Sequence, residues 1–112
     1  MKLTKEQLQV MSDFEINQRL AIMTGWRLDN GQYSKFVEVP VIRKSCDGLI
    51  RRHVNYCNNP SDIMPLAFKR KISVEWFSDG QCLAATNTEE FQSENPLRAI
   101  TCCLILILQE DL

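Results

Sequence analysis

The sequence predicts a small α+β domain in which three helices sandwich or cover an antiparallel sheet of three to four strands, an α-β-α sandwich. Three observations carry this. Ser12-Asp13-Phe14-Glu15 is a capping box, and two Asn-Pro cassettes, Cys57-Asn58-Asn59-Pro60-Ser61-Asp62 and Asn95-Pro96-Leu97-Arg98-Ala99, each turn a loop into an apolar periodic run. Between the cassettes, Ile72 to Trp76 alternates with period two and runs into an Asp79-Gly80 turn signal. At 112 residues and 45% hydrophobic content the chain has material for one core, so residues 1–112 are read as a single domain.

The elements follow in order. Thr4-x-x-Gln7 opens a short first turn, and the Ser12 box starts a helix over Asp13 to Thr24. Ile16, Leu20 and Met23 make its inward stripe, Gln18 and Arg19 face out, and Gly25 stands where a left-handed cap belongs. Asn30-Gly31 reads as a hairpin turn between short extended pieces. Phe36 to Ile42 reads as a strand in which Pro40 withholds a ladder donor, so an edge or bulged strand is expected. Arg43 to Gly48 reads as a loop and Leu49 to Tyr56 as a weaker extended segment.

In the first cassette Pro65 needs the first helical turn, which sets the helix start near Asp62 rather than Pro60, with Ser61 or Asp62 as cap. Ile63, Leu66, Ala67 and Phe68 supply its apolar side, and Lys69, Arg70 and Lys71 complement the dipole at its end. The hairpin returns through Gln81 to Thr86, and Asn87 to Glu94 reads as a polar acidic loop. In the second cassette Asn95 is the N-cap and Pro96 the first helical residue; Leu97 to Leu108 is apolar nearly all round, as a central helix would be. Its apolar run is too short to span a bilayer core of about 30 Å.

These residues resemble a known group. Ser12 and Asp13 in the capping box, Cys57, Asn58, Asn59, Pro60 and Asp62 with Pro65 after them, and Asn95, Pro96, Leu97 and Arg98 are similar in order and type to the NinX-type family of lambdoid phage and prophage proteins. With Met23-Thr24-Gly25-Trp26 the pattern also resembles the wider phage "ABA sandwich" domains. The resemblance runs from about Ser12 to Glu110; Asn30 to Arg52 matches little, and Cys102-Cys103 stands where plainer aliphatics belong. It implies a phage or prophage origin, typically an accessory gene near replication and late-control functions. It implies no activity and no catalytic residues, so the motif residues are read as mainly structural.

Composition narrows the function classes. Thirteen Lys and Arg against fourteen Asp and Glu give a net charge of −1, which removes bulk positive charge as a route to nucleic acid and leaves little self-repulsion against oligomer formation. Glu89-Glu90 and Glu110-Asp111 supply part of the compensating negative charge. Five cysteines without a Cys-x-x-Cys pair, a single histidine and no apolar leader point to a reducing cytoplasm, with no metal site and no cofactor expected.

His53 lacks a second imidazole to build a two-His site; a Cys57–His53 pair near Asp47 is the one nucleophilic arrangement to weigh. Cys57, beside a helix N-terminus, is the cysteine whose pKa that helix would lower. Asn58, Asn59, Ser61 and Asp62 can bind a ligand at a helix N-terminus, but capping alone explains them. Arg43, Lys44, Arg51, Arg52 and His53, with Lys69, Arg70 and Lys71, form a candidate interaction surface if the two groups share a face, and Trp26, Tyr33 and Tyr56 can add stacking. A solvated charged surface is the simpler account of the same residues. The expectation is therefore a non-enzymatic accessory protein binding an unidentified host or phage macromolecule, with nucleic acid as the alternative partner and no membrane.

Overall fold

The computed structural model describes the backbone of residues 2–25, 27–33, 40–45 and 49–110, and the side chains of residues 2–25 and 54–110. Among them are four helices, α1 (Lys5–Val10), α2 (Asp13–Met23), α3 (Pro60–Arg70) and α4 (Pro96–Glu110). Six strands form two three-stranded antiparallel sheets. One is β1 (Arg27–Tyr33), β2 (Pro40–Ser45) and β3 (Leu49–His53) in the order β1-β2-β3; the other is β4 (Ser73–Trp76), β5 (Cys82–Ala85) and β6 (Glu90–Ser93) in the order β4-β5-β6. The α+β class and the helix-covered antiparallel sheet expected from the sequence are present.

α4 is the centre. Ala99 to Leu106 are all buried, because one side of the helix packs on β5 and β6 and the other on α2 and α3. A helix covered on two sides needs an apolar circumference, which is what Leu97 to Leu108 supplies. Its buried polar residues bond locally: Thr101 Oγ1 donates to the Leu97 carbonyl at 2.7 Å, and the Gln109 amide pairs with both backbone groups of Leu3 (2.7 and 3.1 Å), holding the N-terminal segment along the helix end. Among the described residues no helix is long and apolar enough to cross a membrane.

Both N-terminal capping patterns form, with reciprocal bonds at Thr4/Gln7 and Ser12/Glu15. α2 ends with Thr24 as C-cap and Gly25 at φ +95°, the left-handed position that a side chain would strain. Ile16 and Leu20 are buried and Met23 half-buried; Gln18 and Arg19 are half-buried rather than outward, because α2 also touches β1 and β2.

Several expectations are corrected. Asn30-Gly31 lies inside β1, in a stretch where the register with β2 shifts between Leu28 and Tyr33, so the pair sits in an irregularity of the ladder rather than in a hairpin turn. β2 is the middle strand rather than an edge, and the bulged alternative fits: the pairing with β1 is irregular beside Pro40, where the register shifts between Leu28–Ile42 and Tyr33–Pro40. Arg43, Lys44 and Ser45 belong to β2 rather than to a loop, while Ser34 to Val39 and Cys46 to Gly48 lie outside the described residues.

α3 starts at Pro60, with Asn59 as N-cap, and Pro65 sits in the helix interior. The amide that Pro65 lacks would have served the Ser61 carbonyl; both residues are on the exposed face, so that carbonyl is not left unpaired in the core. Phe68 is exposed, not part of the apolar side. The Asn87–Glu94 segment contains β6, a strand with one inward residue, Phe91, opposite Ala84, too little alternation to read as a strand from sequence.

Because Leu104 is buried at the centre of α4, Leu104→Ala should lower the unfolding free energy by about 2–5 kcal/mol in urea titration, the range for cavity-forming truncations. A loss well below about 1 kcal/mol would place the core elsewhere.

Candidate functional site

The N-termini of α2, α3 and α4 meet, and the residues singled out by the capping box and both cassettes converge there. Each helix start exposes backbone amides without intrahelical partners, so the junction needs acceptors. Asn95 Oδ1 accepts from the Leu97 and Arg98 amides (3.0 and 3.4 Å), and Asn59 Oδ1 accepts from the Ser61 amide (3.0 Å). The Asp62 carboxylate reaches back to the Asn55 amide at 2.9 Å instead of capping α3.

Asparagine is required at several of these positions because each side chain both accepts and donates. While its oxygen caps α4, Asn95 Nδ2 donates to the Cys57 carbonyl (2.7 Å) and to Asn58 Oδ1 (3.1 Å). Asn58 Nδ2 donates to Asp13 Oδ2 (3.0 Å) and Asn55 Oδ1 (3.2 Å). Asn17, buried in α2, donates to Asn55 Oδ1 (3.1 Å) and accepts from the Cys57 amide (3.0 Å). Sequence reasoning misses Asn17 and Asn55 because neither stands in a capping position; a polar residue next to the apolar position Ile16 is the only signal.

Arg98 completes the junction. Its guanidinium bonds Asp13 Oδ1 at 2.5 Å and the Leu8 and Met11 carbonyls at 2.9 and 2.6 Å. It thus ties the end of α1 to the start of α2 from the first turn of α4. Its side chain is 14% exposed and that of Asp13 43%, so losing Asp13 would leave a largely buried guanidinium with carbonyl partners alone, whereas Asp13 without Arg98 stays solvated. Above the junction lies an open polar depression of about 390 Å³, lined by Gln9, Asp13, Gln81, Glu94, Asn95 and Arg98 among others. Both Asp13 oxygens and both Arg98 terminal nitrogens facing this network already have protein partners, so the arrangement holds helices together and offers the depression a hydrogen-bonding rim.

Cys57 is fully buried, and burial first, then the Asp13 charge, pushes its thiol well above the usual range, opposite to the lowering expected beside a helix N-terminus. Desolvation outweighs the helix dipole here. Burial likewise pushes Cys102 and Cys103 up to about 12 and raises Cys82. Among the described residues no group of acidic, cysteine or histidine side chains is placed to hold a metal ion.

The basic residues occupy two places. Arg27, Arg43 and Arg51 stand at directly opposed positions across β1, β2 and β3; Arg52 opposes Ile42, Lys44 opposes Ile50, and His53 ends β3 opposite Val41. Lys69, Arg70 and Lys71 are exposed at the end of α3. Lys69 and Arg70 share a small dent with Thr24, the last residue of the α2 cap before the chain runs to Arg27. Tyr56 is buried and unavailable for stacking; Trp26 and the Tyr33 side chain, like Asp47 and the His53 ring, lie outside the described residues.

Comparison with protein-family models, curated proteins and solved structures gives no match.

The buried thiols make a pH prediction. Above the ordinary thiol value of 9.0 the unfolded chain releases protons that the folded chain retains, so stability falls as pH rises from 9 towards about 12. Urea titrations across that range should show the decline, with a shallower slope for Cys102→Ala. Iodoacetamide should label Cys57 only on unfolding; native labelling at the rate of a free thiol would contradict its burial.

Proposed function

We propose that this chain is a non-enzymatic binding module that engages a host or phage macromolecule in the bacterial cytoplasm, encoded by a phage or prophage accessory gene. The observation that carries the reading is the end of α3, where Phe68, 73% exposed, stands beside exposed Lys69, Arg70 and Lys71. An exposed aromatic followed in sequence by three exposed cations supports recognition of an acidic partner surface with an apolar anchor. The phage origin rests on the resemblance to NinX-type proteins, and the free buried thiols of Cys57, Cys82, Cys102 and Cys103 support a reducing compartment.

A second reading, nucleic-acid binding, draws on the directly opposed register positions of Arg27, Arg43 and Arg51, with Arg52 at the opposite pleat position, and on Lys69 and Arg70 beside Thr24. It uses a local basic surface on a chain whose net charge is −1.

Affinity capture from infected cells tests the leading reading, comparing the native chain with Phe68→Ala/Lys69→Glu/Lys71→Glu. The expected result is a macromolecule retained by the native chain and lost by the variant at unchanged thermal stability. Equal retention by both would overturn the assignment of this surface. In parallel, fluorescence anisotropy on labelled single-stranded and duplex DNA should show binding that weakens with salt and with Arg51→Ala/Arg52→Ala if the second reading holds; no binding at low salt removes it.

A further inference from the structure

We propose that β4 is a self-pairing edge, through which two copies of this chain join their β4-β5-β6 sheets into one continuous six-stranded sheet. β4 is the outer strand of its sheet, four residues long, and three of its residues are exposed. The Phe77 amide donates to the Gln81 carbonyl at 2.9 Å, in the same register that pairs Glu75 with Leu83 and Ser73 with Ala85. Bonded and non-bonded pairs alternate in an antiparallel ladder. The amide and carbonyl of Val74 and of Trp76 therefore point away from β5, toward the open edge.

The edge is complementary to itself. With Val74 on a two-fold axis, Val74 faces Val74 of the second copy, Trp76 faces Ile72, and Ser73 faces Glu75. Ile72 and Val74 are half-buried and pack against the core, while Trp76, on the same face by alternation, is 67% exposed. Pairing gives each Trp76 an apolar neighbour, Ile72 of the other copy, and completes an apolar ladder along the inner face. Four backbone bonds form: two between the Val74 residues, and one from each Trp76 amide to the Ile72 carbonyl opposite. The Ile72 amide is already committed to the Ala67 carbonyl at 3.1 Å, which limits the end pairs to one bond each.

Charge agrees with this register. Glu75 faces Ser73 rather than its own copy. A net charge of −1 adds little repulsion between copies. The α3 end assigned to a macromolecular partner immediately precedes this strand, but Phe68 and Lys69 take no part in the pairing, so Trp76→Lys separates the two readings.

Sedimentation equilibrium of the full chain from micromolar to millimolar concentration is the test. A reversible monomer–dimer equilibrium is expected, with the dissociation constant raised about tenfold or more by Trp76→Lys. In Val74→Cys, mild oxidation should give a covalent dimer whose peptide map shows a disulfide joining the two copies at position 74, since opposed bonded residues lie about 5.5 Å apart, within disulfide reach. The cross-link decides the matter if Trp76→Lys fails to fold. A chain monomeric throughout, or a dimer indifferent to Trp76→Lys that forms no such link, overturns the proposal. A monomer that still captures a macromolecule through the α3 surface would sink self-pairing alone.

Discussion

Three helix N-termini meeting at one point is the constraint on which the rest of the structure depends. Each brings unpaired amides and partial positive charge, and the junction answers with acceptors: the Ser12 hydroxyl and Glu15 carboxylate, the Asn59 and Asn95 amide oxygens, and the Asp13 carboxylate. The asparagines link these caps to one another through their second functional group, so that the start of one helix is fixed by the start of the next. Arg98 extends the link to the end of α1. Once α2, α3 and α4 are set at their origins, their apolar faces meet, and the second sheet packs on the remaining side of α4.

This arrangement keeps the motif residues apart from the exposed apolar and cationic groups. Polar residues of the motifs face one another, and Cys57, set among them, is held protonated by burial. What the molecule presents outward lies elsewhere: the aromatic and cationic end of α3, and the open edge of β4 with Trp76 beyond it. The junction thus fixes the helix starts while these exposed groups, the ones on which the proposed binding and self-pairing rest, lie outside it.

What was legible in the sequence is what local chemistry determines. Capping boxes and Asn-Pro steps act within four residues, so the starts of α1, α2 and α4 were readable, as was the Asp79-Gly80 hairpin. Pro65 pointed the wrong way, because whether a helix tolerates an internal proline depends on which face meets water, a tertiary fact. β6 was hidden by having Phe91 as its only inward residue, and the placing of β2 between β1 and β3 arises from pairing rather than from its own sequence. The convergence of the motifs was not legible: nothing local says that Asn58 meets Asp13 and Asn95, or that Asn17 supports the Cys57 amide, since those partners lie about forty positions away in sequence.

The most direct measurement is a double-mutant cycle of Asp13→Ala and Asn95→Ala by urea unfolding. The two side chains do not bond each other directly; Asn58, Arg98 and Cys57 each touch both. If the junction acts as one unit, the double variant should depart from additivity by about 1 kcal/mol or more. Losses that add to within about 0.3 kcal/mol would mean that the caps act independently, and would contradict the account.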